Sequence, residues 1–324
     1  MASAQVVSQP LLMATIDFGT TFSGYAFQTV ANLKENILNI HGYNWDLQNG
    51  VLKTPTCVLF DPAQNFNSFG RDAEDKYTEL AQQNDHANWY YFRRCKLDLY
   101  KCQDIPRNFM LKDVKGKRLP AMKVISESIE YMREHLMREL KRVRQGHHVI
   151  RQSEIRWIVT VPAIWSNAAK QFMREAAEKG GMPSSRLMLV LEPEAAFTFC
   201  YQTNKERLLF AEKSMQCGFL PGTKCLILDA GVVCTFEICF LSGSSIQITV
   251  QEVQNDLSIK QLYMVNCGNC GGTKVDLAFE NFLEELIGKP ALQKFRNDDK
   301  AGYLNLQREF EKKKKEYIPI SQVK

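Results

Sequence analysis

The sequence predicts an α/β protein of two related lobes, and three observations carry that prediction. The first is a repeated unit. An apolar strand delivers an aspartate with a glycine two residues later, at Asp17-Phe18-Gly19 and again at Asp229-Ala230-Gly231. The second is the order strand, helix, strand, helix between residues 154 and 201, which argues for packed layers of both. The third is length: 324 residues suffice for two domains, or for one with subdomains.

Along the chain, residues 1–10 read as a flexible leader and residues 11–220 as the first lobe. Leu11 to Asp17 is a buried strand. Gly24 to Gln28 is its hairpin partner, since Tyr25 and Phe27 alternate with small or polar residues. Residues 61–122 are polar and aromatic, with turn signals at Asp61-Pro62, Ile105-Pro106 and Lys115-Gly116, and read as an inserted subdomain. Trp89, Tyr90, Tyr91 and Phe92 would form its core. A helix follows over 126–145, with Ile125, Ile129, Met132, Leu136, Leu140 and Val143 on one stripe. Its Arg- and Lys-rich face reads as solvated.

Glu154 to Val161 is the next strand, closed by Pro162. Ser166 caps a helix that ends at Gly180-Gly181. Leu187 to Leu191 is another buried strand, and Glu192-Pro193-Glu194 opens a helix through about Tyr201. Residues 221–324 read as the second lobe. After a turn at Pro221-Gly222 the strand with Asp229 begins, Phe236 to Leu241 is read as its hairpin partner, and Ser242-Gly243-Ser244 turns the hairpin. The cluster Gly268 to Thr273 precedes a helix over 274–287, and a charged helix covers 304–317.

Composition excludes some classes. Apolar residues make up 45% and charged residues 24%, ordinary for a soluble globular protein. A net charge of +5 is too mild to argue for nucleic acid. No run of about 18 apolar residues marks a membrane span, and residues 1–10 lack a basic signal-peptide region. Ten cysteines without such a signal read as free or buried thiols in a reducing compartment, cytosol or nucleus.

The repeated unit has a chemistry. Glycines after a strand let backbone N–H groups approach phosphate oxygens, and the hydroxyls of Thr20, Thr21 and Ser23 add donors. A strand-tip aspartate can hold water on Mg²⁺, which prefers carboxylate, water and phosphate oxygens. Two such aspartates facing one cleft would flank a polyphosphate.

Five segments together carry a resemblance: Ile16-Asp17-Phe18-Gly19-Thr20-Thr21-Phe22-Ser23-Gly24, Val159-Thr160-Val161-Pro162-Ala163-Ile164-Trp165, Leu191-Glu192-Pro193-Glu194-Ala195-Ala196, Leu226 to Gly231, and Gly271-Gly272-Thr273-Lys274-Val275-Asp276. In this order, spanning nearly the whole chain, they resemble the 70 kDa heat shock protein family within the actin, hexokinase and chaperone ATPase superfamily. The chain looks most like the divergent twelfth subgroup. The resemblance implies an actin-like ATPase fold: two lobes, each with a five-stranded type of mixed sheet flanked by helices, around a central cleft for ATP or ADP with Mg²⁺. It implies a chaperone-like protein of the stress-response class.

By position, the resemblance assigns Asp17, Glu192 and Asp229 to the Mg²⁺ water shell. It assigns Gly19, Thr20 and Thr21 to the first phosphate loop, Gly231 and Thr235 to the second, and Gly271, Gly272 and Thr273 to a later phosphate-side loop. Lys96 matches the family's catalytic lysine, acting with Glu192 and Asp229. Glu311 and Lys314 match adenosine-cradling positions. The implied mechanism is water attack on the γ-phosphorus, helped by positioning and charge neutralisation.

The chain departs from the pattern in three ways. Gly231 is followed by Val232, Val233 and Cys234 before Thr235, so two glycines of the second phosphate loop are lost and one residue is gained. β-branched residues tolerate positive φ poorly and hold side chains where phosphate would approach. The family's closing strands and adenine-side glycine loop have no counterpart before Lys324, which predicts an incomplete second lobe with an exposed edge prone to association. No substrate-binding β domain follows. The expectation is therefore a nucleotide-binding protein with weak or absent hydrolysis. The alternative is a non-catalytic scaffold on the same fold that has lost the nucleotide. A small-molecule kinase would need a catalytic aspartate beside a substrate pocket, for which no candidate stands out.

Other features have plainer readings. Cys267-Gly268-Asn269-Cys270 lacks a second pair at zinc-ribbon spacing and falls within a glycine loop. His147-His148 ends a basic helix. Lys312 to Lys315 reads as a solvated helix face.

Overall fold

The computed structural model describes residues 9–46, 50–101, 105–143, 150–209, 221–229, 246–256, 258–267 and 272–316. The first lobe is built on a mixed sheet whose centre is β1 (Leu12–Phe18). Successive strand side chains point to opposite faces, and β1 obeys this. Leu12, Ala14, Ile16 and Phe18 are fully buried, which sends Asp17 to the other face. β2 (Phe22–Thr29) returns antiparallel, with Asp17 opposite Gly24 and Phe18 opposite Ser23. The link is only Gly19, Thr20 and Thr21. Thr29 ends β2 and caps α1 (Val30–Glu35), its side chain accepting from the Asn32 amide.

Two short strands add to β2. They are β3 (His41–Gly42) and β4 (Thr54–Pro55), the latter pairing Thr54 with Ser23. The inserted subdomain then unfolds as a small antiparallel sheet: β5 (Cys57–Phe60), β6 (Phe66–Phe69) and β7 (Tyr90–Arg93), in the order β6-β5-β7. Between β6 and β7 lies α2 (Arg71–Gln82), an element hidden in the sequence by its polar composition. All four residues of β5 are buried, because both its faces are covered. Val58 and Phe60 join the main core, while Cys57 and Leu59 pack with Tyr77 of α2, Tyr91 and Leu304. Phe92 enters the main core as well, so the aromatic run serves two cores rather than one. α3 (Lys96–Lys101) and the hairpin β8 (Met110–Lys112) and β9 (Arg118–Pro120) complete this region.

The long helix is α4 (Ala121–Val143). Ile125, Ile129, Met132 and Leu136 are fully buried and Leu140 nearly so, as the stripe requires. Its basic face is not wholly solvated. Arg133 is buried, and its Nε donates to the Gly180 carbonyl at 2.8 Å, tying α4 to the next helix. β10 (Ile155–Val161) lies parallel to β1, and β11 (Leu187–Leu191) parallel to β10. Between them runs α5 (Asn167–Lys179), capped by Ser166, whose hydroxyl accepts from the Ala169 amide. Gly181 follows it at φ +89°, a left-handed turn that suits glycine. The main path is β11-β10-β1-β2-β3, five strands of mixed direction with α4 and α5 packed on one face.

α6 (Glu192–Leu209) starts directly at the end of β11 and packs on β10, β11 and the first strand of the second lobe. That strand is β12 (Lys224–Asp229), followed by β13 (Ile246–Val253) and β14 (Ile259–Cys267). Among the described residues the second lobe's sheet is three-stranded and antiparallel, in the order β12-β13-β14. Here the hairpin differs from expectation. Asp229 lies opposite Gln247 and Leu228 opposite Ile248, so β13 is the antiparallel neighbour of β12. Phe236 to Leu241, expected in that place, and the turn at Ser242 to Ser244 lie outside the described residues. Three helices follow: α7 (Gly272–Ile287), α8 (Lys289–Asp298) and α9 (Lys300–Glu316). α9 crosses back onto α2, and Leu304 inserts into the small core of the inserted subdomain.

Cys57, Cys95, Cys200 and Cys225 are free thiols, the first two buried. Among the described residues no helix is long and apolar enough to cross a membrane.

Candidate functional site

Asp17 stands on the face of the main sheet away from α4 and α5, at the C-terminal end of β1. Thr160 of β10 points the same way, between the buried Val159 and Val161. Its hydroxyl donates to Asp17 Oδ1 at 2.9 Å. The other carboxylate oxygen is held by Lys53, with Nζ 2.6 Å from Oδ2. Lys53 immediately precedes β4, and the pairing of Thr54 with Ser23 brings it alongside the Asp17 turn.

Beside this pair lies a second. Lys96, the first residue of α3, is buried and places Nζ 2.6 Å from Glu192 Oε1. Glu192 is the first residue of α6, so the ends of β7 and β11 converge here. The Lys96 ammonium also lies 5.4 Å from the ring centroid of Trp165, within cation–π range. Burial alone would raise the Asp17 carboxyl, but the charges of Lys53 and Lys96 and the hydrogen bonds from Lys53 and Thr160 hold it below its ordinary value. Asp17 is therefore a carboxylate at neutral pH.

The turn at Gly19 is tight. A Cβ there would collide with the carbonyl of Phe22, so only glycine fits. Thr20 follows it, and the Thr21 carbonyl accepts from the Thr56 amide at 2.8 Å. The Thr21 hydroxyl is buried with no hydrogen-bond partner. The residue lines a cleft of about 980 Å³ that also touches Lys53, Arg94, Asp276 and Glu311. A buried hydroxyl without a partner is uncommon enough to ask what it meets, and this one lies behind the wall of a cleft large enough for a small ligand.

The opposite wall is α7 and α9. Gly272 and Thr273 are the first two residues of α7. One turn further on, Asp276 takes Arg94 Nη2 on Oδ2 at 2.6 Å and Lys314 Nζ on Oδ1 at 2.7 Å. Lys314 also contacts Glu311 Oε2 at 2.5 Å. The sequence reading of Lys312 to Lys315 as a solvated face is corrected at Lys314. Its side chain is only 8% exposed, turned inward by these two carboxylates. Arg93 Nη1 donates to Gln307 Oε1 at 3.0 Å, and Arg308 Nη2 lies 2.7 Å from Asp75, so the inserted subdomain is stitched to α9 as well.

Arg94 carries a backbone cost. Its φ is +55°, a left-handed conformation that costs a non-glycine residue about 1 kcal/mol. Its half-exposed ion pair with Asp276 is worth up to about 1 kcal/mol. Arg94→Gly removes both and is expected to be near neutral in urea unfolding. Arg94→Ala removes only the pair and is expected to destabilise by about 1 kcal/mol. Equal midpoints for the two variants would show that the turn is unstrained.

The structure thus brings together Asp17, Gly19, Thr20, Thr21, Lys96 and Glu192, and separately Glu311 and Lys314 on the facing wall. Asp229 closes β12. Gly231, Thr235 and Gly271 lie outside the described residues, as do His147, His148 and Cys270. Lys53 escaped the sequence reading. It sits in no motif, and only the β-branched and proline residues after it hint at the strand that positions it.

The chain has a direct likeness to known proteins. No protein-family model matches it. The human protein named heat shock 70 kDa protein 12B is 30% identical over 339 aligned positions, covering 94% of this chain and 49% of that protein. Human heat shock 70 kDa protein 12A is 27% identical over 354 positions, covering 95% of this chain and 50% of that protein, and the mouse 12A protein matches equally. The chain spans about half the length of the curated relatives it matches. This similarity runs along nearly the whole chain and agrees with a mixed sheet flanked by helices around Asp17, and it supports assignment of the chain to the divergent twelfth subgroup of the 70 kDa heat shock protein family.

Proposed function

We propose that the cleft binds ATP or ADP, with hydrolysis weak or absent, in a chaperone-like protein of the cytoplasm or nucleus. The observation that carries this reading is the conjunction at one strand end: a glycine turn, a buried partnerless Thr21 hydroxyl and two lysine ammonium groups. Phosphates need backbone amides, hydroxyls and fixed positive charge, and all three converge there. Lys96 is pinned by Glu192 and Trp165, so it offers its charge without reorganising. Thr20 and Thr21 would donate to phosphate oxygens, and Glu311 and Lys314 would flank the nucleoside. Among the described residues, the free thiols of Cys57, Cys95, Cys200 and Cys225 accord with a reducing compartment.

The carboxylates of Asp17, Glu192 and Asp229 are the right chemistry for the water shell of Mg²⁺. These residues would hold the ion through its waters, and it would supply positive charge to the phosphates. Asp17 and Glu192 each also carry a lysine partner, so metal and ammonium share the same oxygens.

Weak hydrolysis follows from the second lobe. In the first lobe three residues join the paired strands at Asp17. In the second, residues 230–245 intervene between Asp229 and β13, and they include Val232 and Val233. The scaffold alternative rests on the same feature, because a lost second phosphate grip removes binding as readily as turnover.

Calorimetric titration of ATP and ADP against wild type and Asp17→Ala tests the reading. Wild type is expected to bind in the micromolar range, and the variant at least about 30-fold more weakly, as befits loss of a charge-positioning group in the site. No heat at millimolar nucleotide, from protein shown to be folded, would leave the scaffold reading in its place.

A further inference from the structure

The two lysines at the site differ in how they are held. Lys96 is buried, paired with Glu192 and covered by Trp165. Lys53 belongs to a short segment before β4, lines the open cleft and keeps 28% of its side chain exposed. A lysine ammonium on a flexible four-carbon stem can exchange partners without backbone movement. Its present partner is Asp17 Oδ2 at 2.6 Å; Thr21 lines the same cleft, and the Ser23–Thr54 strand pair holds the two segments side by side.

We propose that Lys53 is a resident cation of this site, competing with a divalent metal for Asp17 and supplying positive charge to the phosphates, so that nucleotide binding depends only weakly on metal. The idea rests on the nucleotide reading for its second half alone. The competition at Asp17 is a property of the ligand-free protein. With Thr160 on Oδ1 and Lys53 on Oδ2, Asp17 already has a donor on each oxygen. A hydrated metal must take oxygen lone pairs in the presence of a resident positive charge, which lowers its affinity. A phosphate group entering beside Thr21 meets that same charge and draws it over. Lys53 is then a specificity-determining residue: it sets whether the anion arrives alone or with its metal.

The test has two arms on the full chain. In the first, Mn²⁺ is titrated into nucleotide-free wild type, Lys53→Met, Lys53→Arg and the double variant Lys53→Met/Asp17→Asn, with free ion read by electron paramagnetic resonance. Lys53→Met is expected to bind Mn²⁺ up to about fivefold more tightly than wild type, the factor that one partly exposed ion pair is worth. Lys53→Arg is expected to stay at the wild-type value, and the double variant to lose the gain. In the second arm, ATP is titrated with Mg²⁺ and with EDTA. Wild-type affinities are expected to agree within about threefold, while Lys53→Met loses about tenfold or more in EDTA alone.

Unchanged Mn²⁺ affinity in Lys53→Met overturns the inference, whatever the nucleotide result. ATP binding by wild type only with Mg²⁺ overturns its second half and leaves the nucleotide reading standing. If no form binds ATP at all, the nucleotide reading falls, and the Mn²⁺ arm still decides whether Lys53 guards Asp17. Circular dichroism and melting of each variant exclude unfolding as the cause, and Lys53→Gln gives a second neutral side chain for the same comparison.

Discussion

Replacing Glu192 with leucine is expected to destabilise the protein by about 3 kcal/mol, since removing one partner of a buried pair strands the other's charge. The stranded group is Lys96, whose side chain is 4% exposed. Asp17 lies near enough to influence it but is occupied by Lys53 and Thr160. The double variant Lys96→Met/Glu192→Leu is expected to recover most of the loss, because two apolar side chains of similar volume replace two desolvated charges. Urea midpoints for the two singles and the double give the coupling. Additive losses would show that the pair is not what holds this corner together. The double variant would at the same time remove the Lys96 charge that acts on Asp17, so on the proposed reading a stable protein with weakened nucleotide affinity is the expected outcome.

The second large effect is expected at Gly19. Gly19→Val sets a branched side chain against the Phe22 carbonyl, which cannot retreat. Phe18 is paired to Ser23 just beside it, and Thr21 is tied to Thr56. Overpacking against fixed backbone costs about 3 kcal/mol, and the displaced Thr21 would no longer line the cleft. Gly42→Val is the control. A Cβ at that strand glycine meets the Leu52 side chain at 3.4 Å and the Tyr25 carbonyl oxygen at 3.7 Å, both ordinary contacts, and a β-branched residue there is expected to be neutral or slightly stabilising. If both substitutions were tolerated alike, the link at Gly19 would have to be looser than its geometry implies.

What could be read from the sequence follows from what is local. β1, β10 and β11 announce themselves by apolar alternation. Ser166 and Gly181 bound α5 by capping chemistry, and α4 shows its stripe. Asp17, Gly19 and Glu192 were legible because each sits at the end of such an element. α2 was not: Ala73, Tyr77, Leu80 and Ala81 do fall on one stripe, but two of the four are alanines and Glu74 and Thr78 are buried beside them, so the stripe is only weakly apolar. Lys53 was illegible for a different reason. Its importance comes from a strand pair between residues 23 and 54, and a register between distant segments leaves no mark on either. The inward turn of Lys314 is of the same kind, imposed by Asp276, which lies 38 residues away along the chain.

The two Asp-bearing hairpins have a consequence for the order in which the molecule assembles. Around Asp17 the strands meet across three residues, and around Asp229 across residues 230–245. Lengthening a loop by about fivefold adds roughly 1.5 kcal/mol to the entropy of closing it. The first hairpin is a local contact that can form early. The second must wait for pairing at longer range, and such contacts slow folding. The first lobe therefore offers a ready surface, β11 with α6, on which β12 can condense. Emerging from the ribosome in the same order, the chain would meet its harder closure only after the easier half was in place.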